Sequence, residues 1–294
     1  MTILMTGLCE KGADQIWKQC NDAMYAQGVT WLEEAAYAGD AEAWFFLGHC
    51  YSWGDGAVGF NEKKAYECYL RGASAGSARA VLGALRAGQY DEQMKQSARY
   101  SIEESYRQVR DAAEMGDVYA AWQMGEAVEW EDLADYMPQT ESAREQCLFW
   151  YERAADGGII PAMVKMGKCC QNGTYREKDE KEALRWANQC AASGEVWGLF
   201  QMGEHYRQEE DWEVAFQYDY AAAKQGSSRA MLYLGQMYLN GQGTERDIQA
   251  AVQALENAAA RNEAESFEEL GNLFYQDELV ERDDEKAFYW YGKA

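Results

Sequence analysis

The chain has 294 residues, 48% of them hydrophobic and only 2 of them proline, which supplies a sizeable core and few obligate helix breaks. Lys and Arg total 27 against 50 Asp and Glu, a formal charge of -23 that repels a phosphate backbone, sets nucleic acid aside and favours a basic peptide or protein surface. No apolar run approaches the ~18 residues of a membrane span, and the opening Met1-Thr-Ile-Leu-Met-Thr-Gly7 has no basic segment ahead of an apolar one, so the cytoplasm is the expected compartment.

Residues 1–40 read as an N-terminal cap, recognisable by Trp31-Leu32, Ala35-Ala36 and Gly39. From there two phrases alternate. The first places a small residue five before a glycine and Leu or Met directly before it: Ala43 to Gly48, Ala78 to Gly83, Ala120 to Gly125, Ala162 to Gly167, Gly198 to Gly203, Ala230 to Gly235 and Ser266 to Gly271. The small and the large residue lie four apart, one above the other on a helix, and Tyr51, Tyr206, Tyr238 and Phe274 extend the stripe by a turn, so this helix, A, buries one face.

The second phrase is a pair of small residues, two free positions and a terminator, as in Ala112-Ala113 to Gly116 and Ala258-Ala259 to Asn262. Aromatics such as Tyr66, Tyr69, Trp150, Tyr151 and Trp186 precede it; the helix, B, closes on a residue suited to the left-handed conformation. The terminator stands 9 residues before the next Leu-Gly glycine in six junctions and 7 before it from Gly76 to Gly83, while the return from glycine to terminator varies from 23 to 33. The expected units are 1–40, 41–76, 77–116, 117–158, 159–194, 195–226, 227–262 and an incomplete 263–294, forming one all-α superhelix over 1–294. None buries both faces alone, so stability comes from stacking neighbours.

The run from Ala43 to Gly76, with Leu47-Gly48, Tyr51, Gly54-Asp-Gly56, Lys64-Ala65 and Ala73, and its counterpart from Ala230 to Asn262, resembles the Sel-1-like repeat family, cousins of tetratricopeptide repeats. The resemblance spans nearly the whole chain. The third unit departs from it by lacking the Gly-x-Gly turn, and the fourth by a long connection from Glu129 to Ser142 that holds Pro138. It implies a non-enzymatic scaffold or adaptor that takes a protein or peptide in the groove lined by helix A. The alternative is a recognition or regulatory module of a longer protein whose effector lies beyond residue 294.

By the same resemblance, the groove positions are Phe45, His49 and Trp53; Tyr119, Trp122, Glu126, Glu129 and Trp130; and Trp197, Phe200, Glu204 and Arg207. Large aromatics on a helix away from its own core face are the side chains that dominate interface hot spots; the competing reading is that they fill space between successive units. The acidic run Glu126, Glu129, Glu131, Asp132 and Asp135 could take a basic peptide or a divalent cation, although such runs are usually solvated faces.

Only two histidines exist, His49 and His205, and Cys169-Cys170 is adjacent rather than C-x-x-C, so no catalytic or metal site and no cofactor is expected. The eight cysteines read as small buried hydrophobes of a reducing compartment, and Gly54-Asp-Gly56 and Gly241-Gln-Gly243 as repeat turns rather than phosphate loops.

Overall fold

Many helix boundaries follow from local chemistry that the repeat restates. Gly39 takes φ 104°, a conformation open to glycine, and the next residue, Asp40, accepts from the backbone N–H groups of Glu42 and Ala43 at 2.9 and 3.2 Å. Gly116 and Asp117 do the same for the following units, with Tyr119 and Ala120 as the donors to Asp117. The spacing of 9 residues is therefore one reversal, one cap and the first two turns of a helix.

The computed structural model describes the backbone of residues 2–18, 22–54, 58–129, 143–276 and 280–294, and the side chains of all of these except 2–6, 22–24 and 143–144. Among the described residues the chain is built of helices, without strands. They come as pairs: α1 (Thr2–Trp17) with α2 (Asp22–Tyr37), α3 (Ala41–Trp53) with α4 (Glu62–Ala75), and α5 (Ala78–Arg86) with α7 (Ile102–Glu114), between which runs the short α6 (Glu92–Ser97). There follow α8 (Val118–Glu129) with α9 (Ala143–Asp156), then α10 (Ile160–Asn172) and α11 (Glu180–Ala192) in succession, α12 (Val196–Gln208) with α13 (Trp212–Lys224), α14 (Ser228–Asn240) with α15 (Ile248–Ala259), and α16 (Ala264–Tyr275) with α17 (Asp284–Tyr291). The first unit of the sequence, read as a cap, holds a complete helix pair. The long connection of the third unit holds α6, whose Asp91 caps it through the backbone N–H of Met94 at 2.8 Å.

The chain divides into two compact parts, Met1–Ala183 and Leu184–Ala294. In the first, α1 packs on α2, α3 on α4, α8 on α9, and each pair stacks on the next. In the second, one core gathers Ala187, Leu199, Met202, Ala222 and Ala230, and another gathers Leu232, Leu255, Leu270 and Phe274.

The Leu-Gly glycine has a packing reason. A β-carbon on Gly48 would stand 2.7 Å from the ring of Tyr69, and one on Gly83 2.6 Å from the same ring, so two glycines clasp one tyrosine. Tyr151 lies likewise on Gly125, Leu255 on Gly235 and Tyr291 on Gly271. Helix B reaches its partner helix only because helix A has no side chain at that point. One position departs from this pattern. On Gly203 the residue of helix B is a carboxylate, Asp219, 2.5 Å from where the β-carbon would be.

No described helix is long and apolar enough to cross a membrane.

Candidate functional site

The predicted groove residues separate into three sets. Tyr119 and Trp122 are interior. They surround Trp17 of α1, whose ring centroid lies 6.1 Å from Tyr119 and 6.0 Å from Trp122, with Phe46 at 5.2 Å and His49 at 5.4 Å. Asp14 of α1 accepts from the Tyr119 hydroxyl at 2.7 Å. These aromatics hold the first helix against α3 and α8, so they fill space between units rather than face solvent.

Glu129 and Arg207 are taken up by their own units. Glu129 accepts from the hydroxyl of Tyr151 at 2.7 Å and pairs with Lys165. Arg207 pairs with the fully buried Asp219, lies 3.7 Å from the centre of the Tyr233 ring and is flanked by Phe200, itself stacked on Tyr233 with centroids 6.0 Å apart. Burial raises the pKa of Asp219 to about 6 against the opposing pull of Arg207. Trp197 is half-buried beside Phe200 at a shallow depression bordered by Arg229 and Glu263, and Glu204 is half-buried. Trp130, with Glu131, Asp132, Asp135 and Pro138, lies outside the described residues, as do Gly56 and Cys20.

The third set shares a cavity. Phe45, His49, Trp53 and Glu126 border a space of about 160 Å³ between α3, α5 and α8. Trp53 is 49% exposed and stands at its edge, with Phe60, Tyr69 and Leu82 completing the apolar wall. Arg86 crosses it, 5.2 Å from the Trp53 ring and 3.4 Å from a Glu126 carboxylate oxygen. His49 is 7% exposed; its Nε2 lies 4.0 Å from Glu126 Oε2, and neither ring nitrogen has a hydrogen-bond partner among the described residues. Burial pushes its pKa down to about 3 and the nearby Arg86 adds to the shift, so the imidazole is neutral at physiological pH. Gln123, 6% exposed, donates from Nε2 to the Arg79 carbonyl at 3.0 Å and leaves Oε1 unpartnered among the described residues.

Sequence reasoning missed Gln123, Arg86, Phe60, Tyr69 and Trp17. Gln123 had a signal, being the one polar residue inside Ala120-Ala-Trp-Gln-Met124. Trp17 stands five residues after Gly12, as Trp53 does after Gly48, and Gly12 packs on Leu32 of α2 as other helix-A glycines pack on helix B. Lys11 in place of Leu or Met concealed that phrase.

Among the described residues no group of three or more His, Cys, Asp or Glu could hold a metal ion.

Paired helices in tandem, locked by a glycine that receives the neighbouring helix, define an α-helical repeat protein. The Sel1 repeat model matches residues 23–40, 41–77, 118–159, 160–195, 228–263 and 268–294, and the chain belongs to the Sel1 repeat family. The model passes over 78–117 and 196–227, where α5 to α7 and α12 with α13 nevertheless form pairs of the same kind; these are the stretches with the inserted α6 and with Asp219 in the aromatic position.

An uncharacterized protein of Neisseria meningitidis serogroup B is 26% identical over 195 residues, 65% of this chain and 38% of that protein. The chain thus spans well under half the length of that relative. Among solved structures, c5321, a protective antigen of uropathogenic Escherichia coli with an SLR fold, superposes with a TM-score of 0.63 at 21% identity, over 90% of this chain and 55% of that one. A Sel1 repeat protein from Oxalobacter formigenes gives 0.51 at 21% identity, over 97% and 96%. Both likenesses concern the fold.

Proposed function

We propose that this protein is an interaction module that seats a segment of a partner protein on the first helices of its repeats, at the cavity between α3, α5 and α8. The family's helical repeats generally mediate protein–protein contact, which supports the class of function. The observation that carries the reading is the cavity's make-up: an accessible tryptophan at the mouth, and behind it two buried polar side chains with atoms left unsatisfied among the described residues. An unpaired buried donor or acceptor costs about 1–3 kcal/mol, which an incoming group recovers by pairing with it. The charge of -23 steers a basic segment toward the protein and a nucleic acid away from it.

A photo-cross-linking residue at Trp53, compared with one at Tyr37 on α2, tests this in lysate of the source cells. One protein captured from position 53, and not captured when Glu126→Ala and Phe60→Ala are added in a chain of unchanged helicity, supports the reading. Capture from position 37 alone overturns it. A second reading, a recognition part within a longer protein, is favoured by the greater length of the Neisseria relative. The coding sequence downstream of Ala294 tests it.

A further inference from the structure

The cavity in the first part of the chain has a chemistry narrower than that of a general peptide groove, and the inference drawn from it rests on the reading just given. Its wall is flat and apolar, formed by Phe45, Trp53, Phe60 and Tyr69. Its volume, about 160 Å³, matches one six-membered ring, since an apolar cavity of roughly 150 Å³ takes up benzene. Its polar lining holds His49 and Gln123, both more than nine-tenths buried, together with Ser52, Glu62, Arg86, Gln89 and Glu126.

These two side chains present complementary vacancies. Neutral His49 has one N–H to donate and one lone pair to offer, and Gln123, whose Nε2 donates to the Arg79 carbonyl, has a carbonyl oxygen without a partner among the described residues. A hydroxyl accepts from the first and donates to the second through a single atom. An ammonium or guanidinium enters a place that already expels a proton from His49 and lies beside Arg86. A carboxylate faces Glu62 and Glu126 at the same cavity.

We propose that this cavity is a socket for a phenol, a single aromatic ring against Phe45, Trp53 and Tyr69 whose hydroxyl bonds to His49 and to Gln123 Oε1. A tyrosine side chain of the partner and a free phenolic compound carry the same group.

The test titrates 4-methylphenol, toluene and n-butylguanidinium into the full chain by ligand-observed NMR. The expected result is a preference for 4-methylphenol over toluene of about tenfold or more, because the analogue without the hydroxyl leaves both buried groups unpaired. In Gln123→Met, which keeps the length and removes the acceptor, the preference falls to within about threefold. Equal binding of toluene, stronger binding of n-butylguanidinium, or no binding of any of the three at millimolar concentration overturns the socket. The wild-type comparison holds whether or not the variant folds.

Two decapeptides with basic flanks, one with a central Tyr and one with Phe, separate the sources. A Tyr peptide at least tenfold tighter than 4-methylphenol assigns the socket to a protein partner. A peptide no tighter than the free phenol keeps the socket and removes the protein-segment reading. Conversely, loss of the phenol preference with capture from position 53 intact removes the socket alone.

Discussion

Two regions of the chain, one at Gly48 and Gly125 and one at Gly203, solve the same packing problem with different chemistry. In Met1–Ala183, at Gly48 and Gly125, the residue laid on the helix-A glycine is Tyr69 or Tyr151, an aromatic ring whose hydroxyl reaches the residue four beyond that glycine, Ser52 at 3.3 Å or Glu129 at 2.7 Å. In Leu184–Ala294, at Gly203, the same place holds Asp219, and the residue four beyond the glycine is Arg207, which pairs with it. The repeat backbone therefore demands a close approach, which a ring with a hydroxyl, an ion-paired carboxylate or, on Gly12 and Gly235, a leucine can fill. The energetics differ, since a buried charge left alone is far costlier than a hydroxyl left alone.

The comparison breaks most sharply at Arg207. Arg207→Met leaves Asp219 buried and uncompensated, and urea unfolding should show a loss of about 3–5 kcal/mol. The double variant Arg207→Met with Asp219→Leu should recover most of it, since a buried ion pair replaced by apolar groups is often neutral. No recovery would mean that the pair does more than satisfy itself.

The second test uses pH. The folded pKa of Asp219, about 6, lies above its ordinary value of 3.8. Between about pH 4 and pH 6.5 the folded state binds the extra proton, so stability falls as pH rises through that window. Subtracting the profile of Asp219→Asn removes the contribution of every other carboxylate, and the difference should change by on the order of 2 kcal/mol. A flat difference would show that Arg207 fully offsets the burial.

The aromatic side of the comparison responds to volume. Gly48→Ala drives a methyl into the Tyr69 ring and should cost about 1–3 kcal/mol in thermal or urea unfolding. Gly116→Ala meets no neighbour within 4 Å and is strained only by its φ of 102°, which separates close packing from backbone conformation. The smallest effect is expected for Tyr151→Phe, about 1 kcal/mol, because Glu129 keeps Lys165.

The register of the repeats was legible because it is local: a left-handed glycine, a capping Asp or Ser and a small residue recur at fixed spacing, and each acts within one turn of itself. A quarter of the residues that line the candidate cavity were legible for the same reason, since Phe45, His49, Trp53 and Glu126 are periodic positions of helix A. Arg86, Phe60 and Gln89 were not. They come from the end of α5 and from the connections, and they reach the cavity only through the stacking of α3, α5 and α8. Groove position also failed to separate interior from accessible aromatics. Trp122 and Trp53 are both tryptophans at groove positions, and the first is closed over by Trp17 from α1 and His49 from α3.

The cysteines have a use that the packing did not require. Cys9, Cys50, Cys68, Cys147, Cys169 and Cys170 lie buried in the first part of the chain, and Cys190 in the second. Burial pushes the thiols of Cys68 and Cys147 up to about 12, so each is shut off from reagent both sterically and by protonation until its helix opens. In native buffer an alkylating reagent would thus record, as mass added peptide by peptide, the order in which helix pairs come loose. That recording would cover α1, α3, α4, α9 and α10, skip α5 to α8 and be blank beyond Cys190, a built-in clock for particular helix pairs of the chain.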